Sequence, residues 1–188
     1  LKVKVRNEIV ATKLPDKDMD IDPNEVTGKY LEPEQLHKWY SENKEFYIVD
    51  MRNDYEFKVG YFENSIFAPF ENFRDLPEVV KEIAHLKDKT VVTVCTGGIR
   101  CEKASGFLVE NGFSDVYQLH GGMHKYMEKY PNEHFLGKLF VFDNRLVMGF
   151  NTESEKHTVV GKCDVCENQS ENYINCSYPK CHKLMIAC

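Results

Sequence analysis

Two cysteines and an arginine lie close together in the stretch VVTVCTGGIRCEKAS, residues 91–105. Cys95 follows a β-branched run, TVVTV, that predicts a buried strand, and two glycines come soon after it. Glycines let backbone N–H groups turn inward, and a following helix directs its N-terminus at the same place. Together with the charge of Arg100, these groups lower a thiol pKa from about 8.5 towards neutrality. We therefore predict that Cys95 is a thiolate nucleophile. The residues of its loop are Thr96, Gly97, Gly98 and Ile99.

The spacing between Cys95 and Arg100 limits the size of the group that the loop can hold. Four residues separate Cys95 from Arg100, one fewer than in the phosphate-binding loops of cysteine phosphatases. The smaller ring suits a compact cysteine adduct such as a persulfide. Cys101, in the first turn of the predicted helix, is a second catalytic candidate that would resolve an oxidised Cys95 or carry the adduct itself. The alternative for Cys101 is a buried residue at the start of a helix.

The other five cysteines lie between residues 163 and 188. A C-x-x-C pair places two thiolates on one tetrahedral ion, and a second pair across a short hairpin completes the set. We expect a structural zinc ion, with Cys188 and His182 as spare candidates, against the alternative of unligated thiols. The predicted ligands are Cys163, Cys166, Cys176 and Cys181.

Composition limits the classes of function. A net charge of −6 argues against broad electrostatic binding of nucleic acid. No apolar run approaches the length of a membrane span, and the N-terminus alternates instead of forming a signal peptide, so we predict a cytoplasmic protein with no membrane partner. The chain starts without Met and stops within a cysteine-rich stretch, so we also expect a fragment of a longer protein.

The elements that position Cys95 alternate between strands and helices. Solid apolar strands alternating with helices predict an α/β fold, a parallel sheet with helices on both faces. Sites in such sheets lie at the carboxyl ends of the strands, and Cys95 comes directly after one. The predicted strands are 46–50, 65–70, 90–94 and 115–119, and the predicted helices are 32–44, 53–60, 76–86, 101–112 and 121–131.

Three segments are predicted along the chain. Residues 1–29 form an N-terminal strand and a polar connector, and residues 30–137 form the α/β domain. Residues 138–188 form a hairpin-like segment about Asp143 and Asn144 and then the cysteine-rich tail. No pattern in the sequence assigns an oligomeric state.

The CTGGIR loop resembles the active-site loop of rhodaneses, and two further motifs support the resemblance. YIVDMRNDYEFKVGYFENSIFAPF is similar to a signature of that family, except that Tyr61 replaces a usual His. VYQLHGGMHKY is similar to its terminal Gly-Gly motif. The positions that match the two motifs are Asp50, Arg52, Glu56, Gly60, Gly121 and Gly122. For Asp50, Arg52 and Glu56 we favour a structural role in fixing a turn.

A narrower resemblance lies in the cysteine directly after the arginine and in GKLFVFDNRL joined to a cysteine-rich tail. This combination resembles the tRNA uridine(34) hydroxylase family of bacterial rhodanese-domain proteins, whose members carry an additional N-terminal domain. The resemblance implies conversion of the wobble uridine of tRNA to 5-hydroxyuridine, with molecular oxygen as co-substrate, the anticodon loop as partner and the rhodanese cysteine as the essential group. The sequence carries no flavin or haem signature.

Two other functions remain open at the level of sequence. The loop alone equally supports a thiosulfate or persulfide sulfurtransferase, because rhodanese-like domains share a fold and not one function. A non-enzymatic rhodanese-fold module that binds partners through its tail is the third reading. The intact Cys95 and Arg100 argue against that third reading.

Overall fold

The chain, as a computed structural model, is described for Val3, Val5, Val10 and residues 21–68 and 73–188. The strands in these ranges are β1 (Lys29–Leu31), β2 (Tyr47–Asp50), β3 (Gly60–Phe62), β4 (Ile66–Phe67), β5 (Thr90–Val94), β6 (Asp115–Leu119), β7 (Phe135–Gly137), β8 (Leu139–Phe140), β9 (Val147–Met148), β10 (Tyr173–Asn175) and β11 (Leu184–Ile186). The helices are α1 (Pro33–Ser41), α2 (Asp54–Phe57), α3 (Leu76–Glu82), α4 (Ile99–Glu110) and α5 (Gly122–Lys129).

The main sheet has five strands in the order β1-β6-β5-β2-β4, and every neighbouring pair is parallel. The predicted parallel sheet is therefore confirmed. β5 lies at the centre, where both of its edges are hydrogen-bonded and both of its faces are covered. This position explains why its sequence reads as a solid run of Val and Thr.

Helices cover both faces of the sheet. Successive side chains of a strand point to opposite faces, so β5 contributes to two separate cores. Val91 packs in the core with α3 and α4, whereas Val92 and Val94 pack in the core with α1 and α5. Two helix layers therefore fix the end of β5 from both sides, and Cys95 follows at that end.

Some elements differ from the sequence expectation. β1 is a short edge strand that the sequence did not predict. Two of its three residues are exposed, so its sequence has no apolar pattern typical of a strand. The predicted strand at 65–70 is β4 over Ile66–Phe67, with residues 69–72 outside the described part. The strand predicted in the first ten residues also lies outside it. The antiparallel pair β3 and β7 was not predicted, because each has only three residues and 72 residues lie between Phe62 and Phe135.

The C-terminal segment packs on the domain through α2. β8 and β9 pair antiparallel around Asp143 and Asn144, and β10 pairs antiparallel with β11. The Tyr173 hydroxyl donates a hydrogen bond to the Tyr55 carbonyl at 2.6 Å. A small third core lies between these parts and comprises Val59, Phe140, Tyr173 and Ile186.

Candidate active site

Cys95 lies one residue past β5, at the carboxyl edge of the sheet, and is 1% exposed. The loop turns sharply at Gly98, whose φ of +95° is in the region that favours glycine. That turn allows the Gly98 N–H to donate a hydrogen bond to the Cys95 Sγ at 3.2 Å. The structure therefore places the sulfur within the loop and against the first turn of α4.

The pKa of the Cys95 thiol is lowered to about 6. The largest cause is a hydrogen bond from the Cys101 thiol; burial opposes it, and the charge of Arg100 and nearby backbone N–H groups add to it. Burial and the thiolate next to it raise the pKa of Cys101 well above its ordinary value. At neutral pH the pair is therefore a Cys95 thiolate that accepts from a Cys101 thiol. The sequence reading attributed the shift to the loop, the helix and Arg100, and did not identify the Cys101 contribution.

Arg100 is held by Glu56 of α2. Its Nη1 and Nη2 donate to the two carboxylate oxygens at 2.6 and 2.7 Å, and Glu56 is wholly buried. Thr96 Oγ1 donates to the same carboxylate at 3.0 Å and accepts from Arg100 Nη2 at 3.3 Å. Burial alone would lower the pKa of Arg100, but the Glu56 carboxylate holds it above its ordinary value. Arg100 is thus a fixed charge that Glu56 largely compensates.

The sequence favoured a turn-fixing role for Glu56. The structure shows a further role, because the Glu56 carboxylate orients Arg100 at the end of the Cys95 loop. A buried carboxylate needs a paired charge or several donors, and this general requirement is the signal that could have identified it. Asp50 and Arg52 instead have the structural role expected. Arg52 Nη2 donates to Asp50 at 2.7 Å and to the Gly60 carbonyl at 2.6 Å, with both side chains of the pair fully buried.

Gly121 and Gly122 support the Cys95 loop from the end of β6. Both have positive φ, and a Cβ on Gly122 would lie 2.6 Å from the carbonyl oxygens of Cys95 and Thr96. The N–H groups of Met123 and His124 donate to those same two carbonyls, at 2.9 and 3.1 Å. Only a glycine allows this close approach, so the Gly-Gly motif positions the backbone that carries the thiolate.

Two surfaces flank the loop. On the β6 side lies a cavity of about 190 Å³, whose lining includes Tyr30, Gly97, Ile99, Glu102 and His120. On the α2 side the exposed ring of Phe142 lies 5.9 Å from Cζ of Arg100. Both surfaces adjoin residues of the loop that carries Cys95.

Three tail cysteines form a second candidate site. The Sγ atoms of Cys163, Cys166 and Cys188 lie within 4.8 Å of one another, a set suited to one metal ion. Backbone N–H groups of Val165, Cys166 and Cys188 lower the pKa of Cys163 to about 6. The set differs from the sequence expectation, since Cys188 takes part while Cys176 and Cys181 lie outside this group. The β10–β11 pairing places those two residues at the other end of the hairpin.

Within the described ranges, no helix combines the length and the apolar character needed to cross a bilayer.

Comparisons with known proteins agree with this geometry. The model of the rhodanese-like domain matches residues 32–129, and a rhodanase C-terminal model matches residues 136–188. Among solved structures, the rhodanese-like domain of an Anabaena protein superposes with a TM-score of 0.50 at 16% identity, over 72% of this chain and 94% of that one. This likeness shows the fold.

Curated relatives match nearly the whole chain. A protein of Cytophaga hutchinsonii is 45% identical over 97% of this chain and 56% of its own length. Proteins of Acholeplasma laidlawii and Staphylococcus aureus are 42% and 46% identical over 98% of this chain and 57% of theirs. The chain thus spans a little over half the length of these relatives, each of which is named tRNA uridine(34) hydroxylase. By its match over residues 32–129, the chain belongs to the rhodanese-like domain family.

Proposed function

We propose that the protein hydroxylates the wobble uridine of tRNA to 5-hydroxyuridine, with Cys95 as the nucleophile. The observation that carries the proposal is the position of Cys95 directly after β5, buried, with its sulfur accepting a hydrogen bond from the Gly98 N–H. The lowered pKa of its thiol, about 6, agrees with this position. Relatives that are 42–46% identical over nearly the whole chain carry the name of this activity. A tRNA substrate also implies that the protein works in the cytoplasm.

The chemistry follows from the thiolate. Addition of Cys95 Sγ to C6 of uracil breaks the C5–C6 π bond and moves its electrons to C5 and the C4 carbonyl as an enolate. C5 then attacks one oxygen of a hydroperoxide, which two-electron reduction of O₂ supplies; the C5–O bond forms as the O–O bond breaks, and hydroxide leaves as water after protonation. Loss of the C5 proton and departure of the thiolate from C6 restore the double bond. Overall, uridine, O₂, two electrons and two protons give 5-hydroxyuridine and water, so a two-electron reductant must take part.

The other site residues support this step. Cys101 keeps its proton and donates to the Cys95 thiolate, so it stabilises the nucleophile. If Cys95 is oxidised to a sulfenic acid, Cys101 is the neighbouring thiol that would attack it, forming a disulfide and releasing water. Arg100 is held by Glu56 and Thr96, so its charge stays in place while the thiolate forms and departs. The loop residues Thr96 to Ile99 confine the sulfur.

We further propose that the tail binds a structural zinc ion through Cys163, Cys166 and Cys188. Thiolates are preferred zinc ligands, and sulfur atoms about 3.8 Å apart surround one tetrahedral ion with Zn–S bonds of about 2.3 Å. The three Sγ atoms lie within 4.8 Å, so small rotations of the side chains bring them to that geometry. Three thiolates would leave the fourth position of such an ion to a water or a further side chain. Metal binding there would hold the tail against α2.

Sulfur transfer is the second candidate function. The Gly98 N–H that binds the Cys95 sulfur could equally stabilise a persulfide, and the four-residue interval to Arg100 leaves room for one extra sulfur atom. This reaction needs neither O₂ nor RNA. Thiosulfate turnover by the purified protein distinguishes it from hydroxylation.

Nucleoside mass spectrometry of tRNA tests the proposal. Cells that lack the protein would be complemented with wild type, Cys95→Ser or Cys101→Ser. We expect wild type to restore the added oxygen on uridine, Cys95→Ser to restore none, and Cys101→Ser to restore less. Hydroxylated uridine that is independent of the protein would refute the hydroxylase, and efficient thiosulfate turnover would then favour the sulfurtransferase.

A further inference from the structure

Phe142 is a large apolar side chain that lies exposed beside the active-site loop. It is 67% exposed, whereas the preceding residues Phe140 and Val141 are 4% and 8% exposed. Its ring lies 5.9 Å from Cζ of Arg100. Single exposed apolar residues are common on protein surfaces and need no explanation. Phe142 differs because it lies next to the arginine that ends the Cys95 loop.

The Phe142 ring is held in place. Phe140 contacts it edge to face, with ring centroids 5.4 Å apart at 80°. Phe140 is in turn fixed by Tyr55 and Tyr173, at 5.1 and 5.4 Å, also edge to face. Because the Phe142 ring is already held by these neighbouring rings, it loses little conformational entropy when a ligand covers it.

The turn that follows Phe142 is also closed. The Val141 N–H donates to the Leu146 carbonyl at 2.8 Å, and the Leu146 N–H donates to the Asp143 carbonyl at 3.0 Å. Arg145 Nη2 forms an ion pair with Asp143 at 2.6 Å within the same turn. Phe142 therefore projects from a defined backbone.

Helix α2 connects this ring to the catalytic loop. Tyr55 supports Phe140, and the next residue, Glu56, holds Arg100 through both carboxylate oxygens. Two consecutive residues of α2 therefore position the two groups: Tyr55 supports Phe142 through Phe140, and Glu56 holds Arg100. Together Phe142 and Arg100 offer a flat apolar surface next to a cation, which suits a planar ring with polar edges.

We propose that Phe142 stacks on the uracil base that reacts with Cys95. The inference rests on the proposed hydroxylase function and specifies how that site recognises its substrate. A base of an anticodon loop must leave its own stack to reach an enzyme thiolate, and aromatic side chains replace the lost stacking. A stacked base typically contributes about 1–3 kcal/mol of affinity.

The cavity on the β6 side is the competing location for the base. Its lining includes the exposed aromatic Tyr30, but also the carboxylate of Glu102, which hydrogen-bonds to Tyr30 at 3.2 Å. The Glu102 carboxylate in that lining repels the phosphates of RNA, whereas the carboxylates on the Phe142 side are paired, Glu56 with Arg100 and Asp143 with Arg145. The charges therefore favour the Phe142 side, and Tyr30 becomes the matched control.

A double-mutant cycle tests the inference. The probe is an anticodon stem-loop RNA with uridine at the wobble position, compared with the same RNA carrying an abasic site there. Binding is measured on the full-length protein with Cys95→Ser, so that no RNA is converted. We expect Phe142→Ala to weaken binding of the uridine RNA about 5- to 150-fold, which corresponds to ~1–3 kcal/mol. Phe142→Ala should leave the affinity for the abasic RNA unchanged, and Phe142→Trp should retain binding.

Three results would overturn the inference. An unchanged Kd for Phe142→Ala is the first, and an equal loss for both RNAs is the second. The third is a base-dependent loss for Tyr30→Ala, which would place the base in the β6-side cavity. The pH profile of Cys95 alkylation should be the same in Phe142→Ala and in wild type, because a merely structural change would move it.

Modification in cells separates this inference from the proposed function. If wild type produces Cys95-dependent 5-hydroxyuridine and Phe142→Ala produces as much at limiting expression, only the stacking inference fails. If wild type produces none, the hydroxylase proposal fails, while a base-dependent effect of Phe142→Ala on binding would still support stacking.

Discussion

The guanidinium of Arg100 binds the carboxylate of Glu56 through two hydrogen bonds of 2.6 and 2.7 Å. The two residues are 44 positions apart in sequence, and Glu56 is completely buried. Because Glu56 compensates the charge of Arg100, the arginine alone does not account for the reactive cysteine. The hydrogen bond from the Cys101 thiol lowers the pKa of Cys95 more than the charge of Arg100 does.

The first prediction concerns this ion pair. Glu56→Gln leaves the Arg100 charge largely buried without its counter-charge, so we expect the free energy of unfolding to fall by about 3 kcal/mol. Urea denaturation measures the change. Glu78→Gln is the matched control, because its pair with Lys81 is exposed and should contribute less than about 1 kcal/mol. Equal effects of the two substitutions would contradict the structural role of the buried pair.

The second prediction concerns the pH dependence of Cys95 reactivity. The thiolate reacts with iodoacetamide and the thiol does not, so the alkylation rate should rise with pH with a midpoint about 6. Cys101→Ala removes the largest stabilising contact and should move the midpoint upwards. Peptide mass spectrometry assigns the alkylation to Cys95 among the seven cysteines. If the midpoint is unchanged in Cys101→Ala, the loop and Arg100 alone are enough to lower the pKa of Cys95.

The third prediction concerns the glycines around the loop. In Gly122→Ala the new methyl group would lie 2.6 Å from two loop carbonyls at a φ of +66°, so the loop must move. We expect a loss of at least ~1–3 kcal/mol in stability and a sharp fall in Cys95 alkylation. Gly97→Ala is the control, since no atom beyond its two neighbours in the chain lies within 4 Å of the added Cβ. The role of Gly122 would be refuted if both variants behaved like wild type.

The fourth prediction concerns the metal ligands of the tail. Cys188→Ser should lower the zinc content of the purified full-length protein, as should Cys163→Ser, because both thiols belong to the cluster. Cys176→Ser should lower it less. Elemental analysis by mass spectrometry measures the stoichiometry. Loss of zinc in Cys176→Ser but not in Cys188→Ser would instead favour the ligand set expected from the sequence.

Limited proteolysis adds a structural measurement to that experiment. The tail packs on α2 through the Tyr173 hydroxyl and the small core that includes Ile186. Because Cys163 and Cys188 of the cluster lie on either side of the β10–β11 hairpin, removal of zinc by a chelator should loosen the hairpin and expose the tail to protease before the domain is cleaved. Equal protection with and without chelator would show that the tail packs without the metal.

Much of the site could be predicted from the sequence because its determinants are local. The β-branched run TVVTV predicts a buried strand, and Cys95 is the next residue. Glycine at 98 and 122 is typical of backbone that other residues adopt only rarely, and both positions have positive φ. The parallel sheet, the strand-end position of Cys95 and the loop that surrounds it therefore follow from the pattern of residue types alone.

Only the tertiary structure decided which distant groups meet at that loop. Glu56 reaches Arg100, Phe142 lies beside the same arginine, and Cys188 joins Cys163, because β-strand order and tail packing bring them together. Periodicity reports which face of an element is apolar, but carries no information about which residue from another element lies opposite. The position of Cys95 is therefore a property of its own loop, whereas the partner of Arg100, the neighbouring aromatic ring and the cysteine cluster depend on how the whole chain folds.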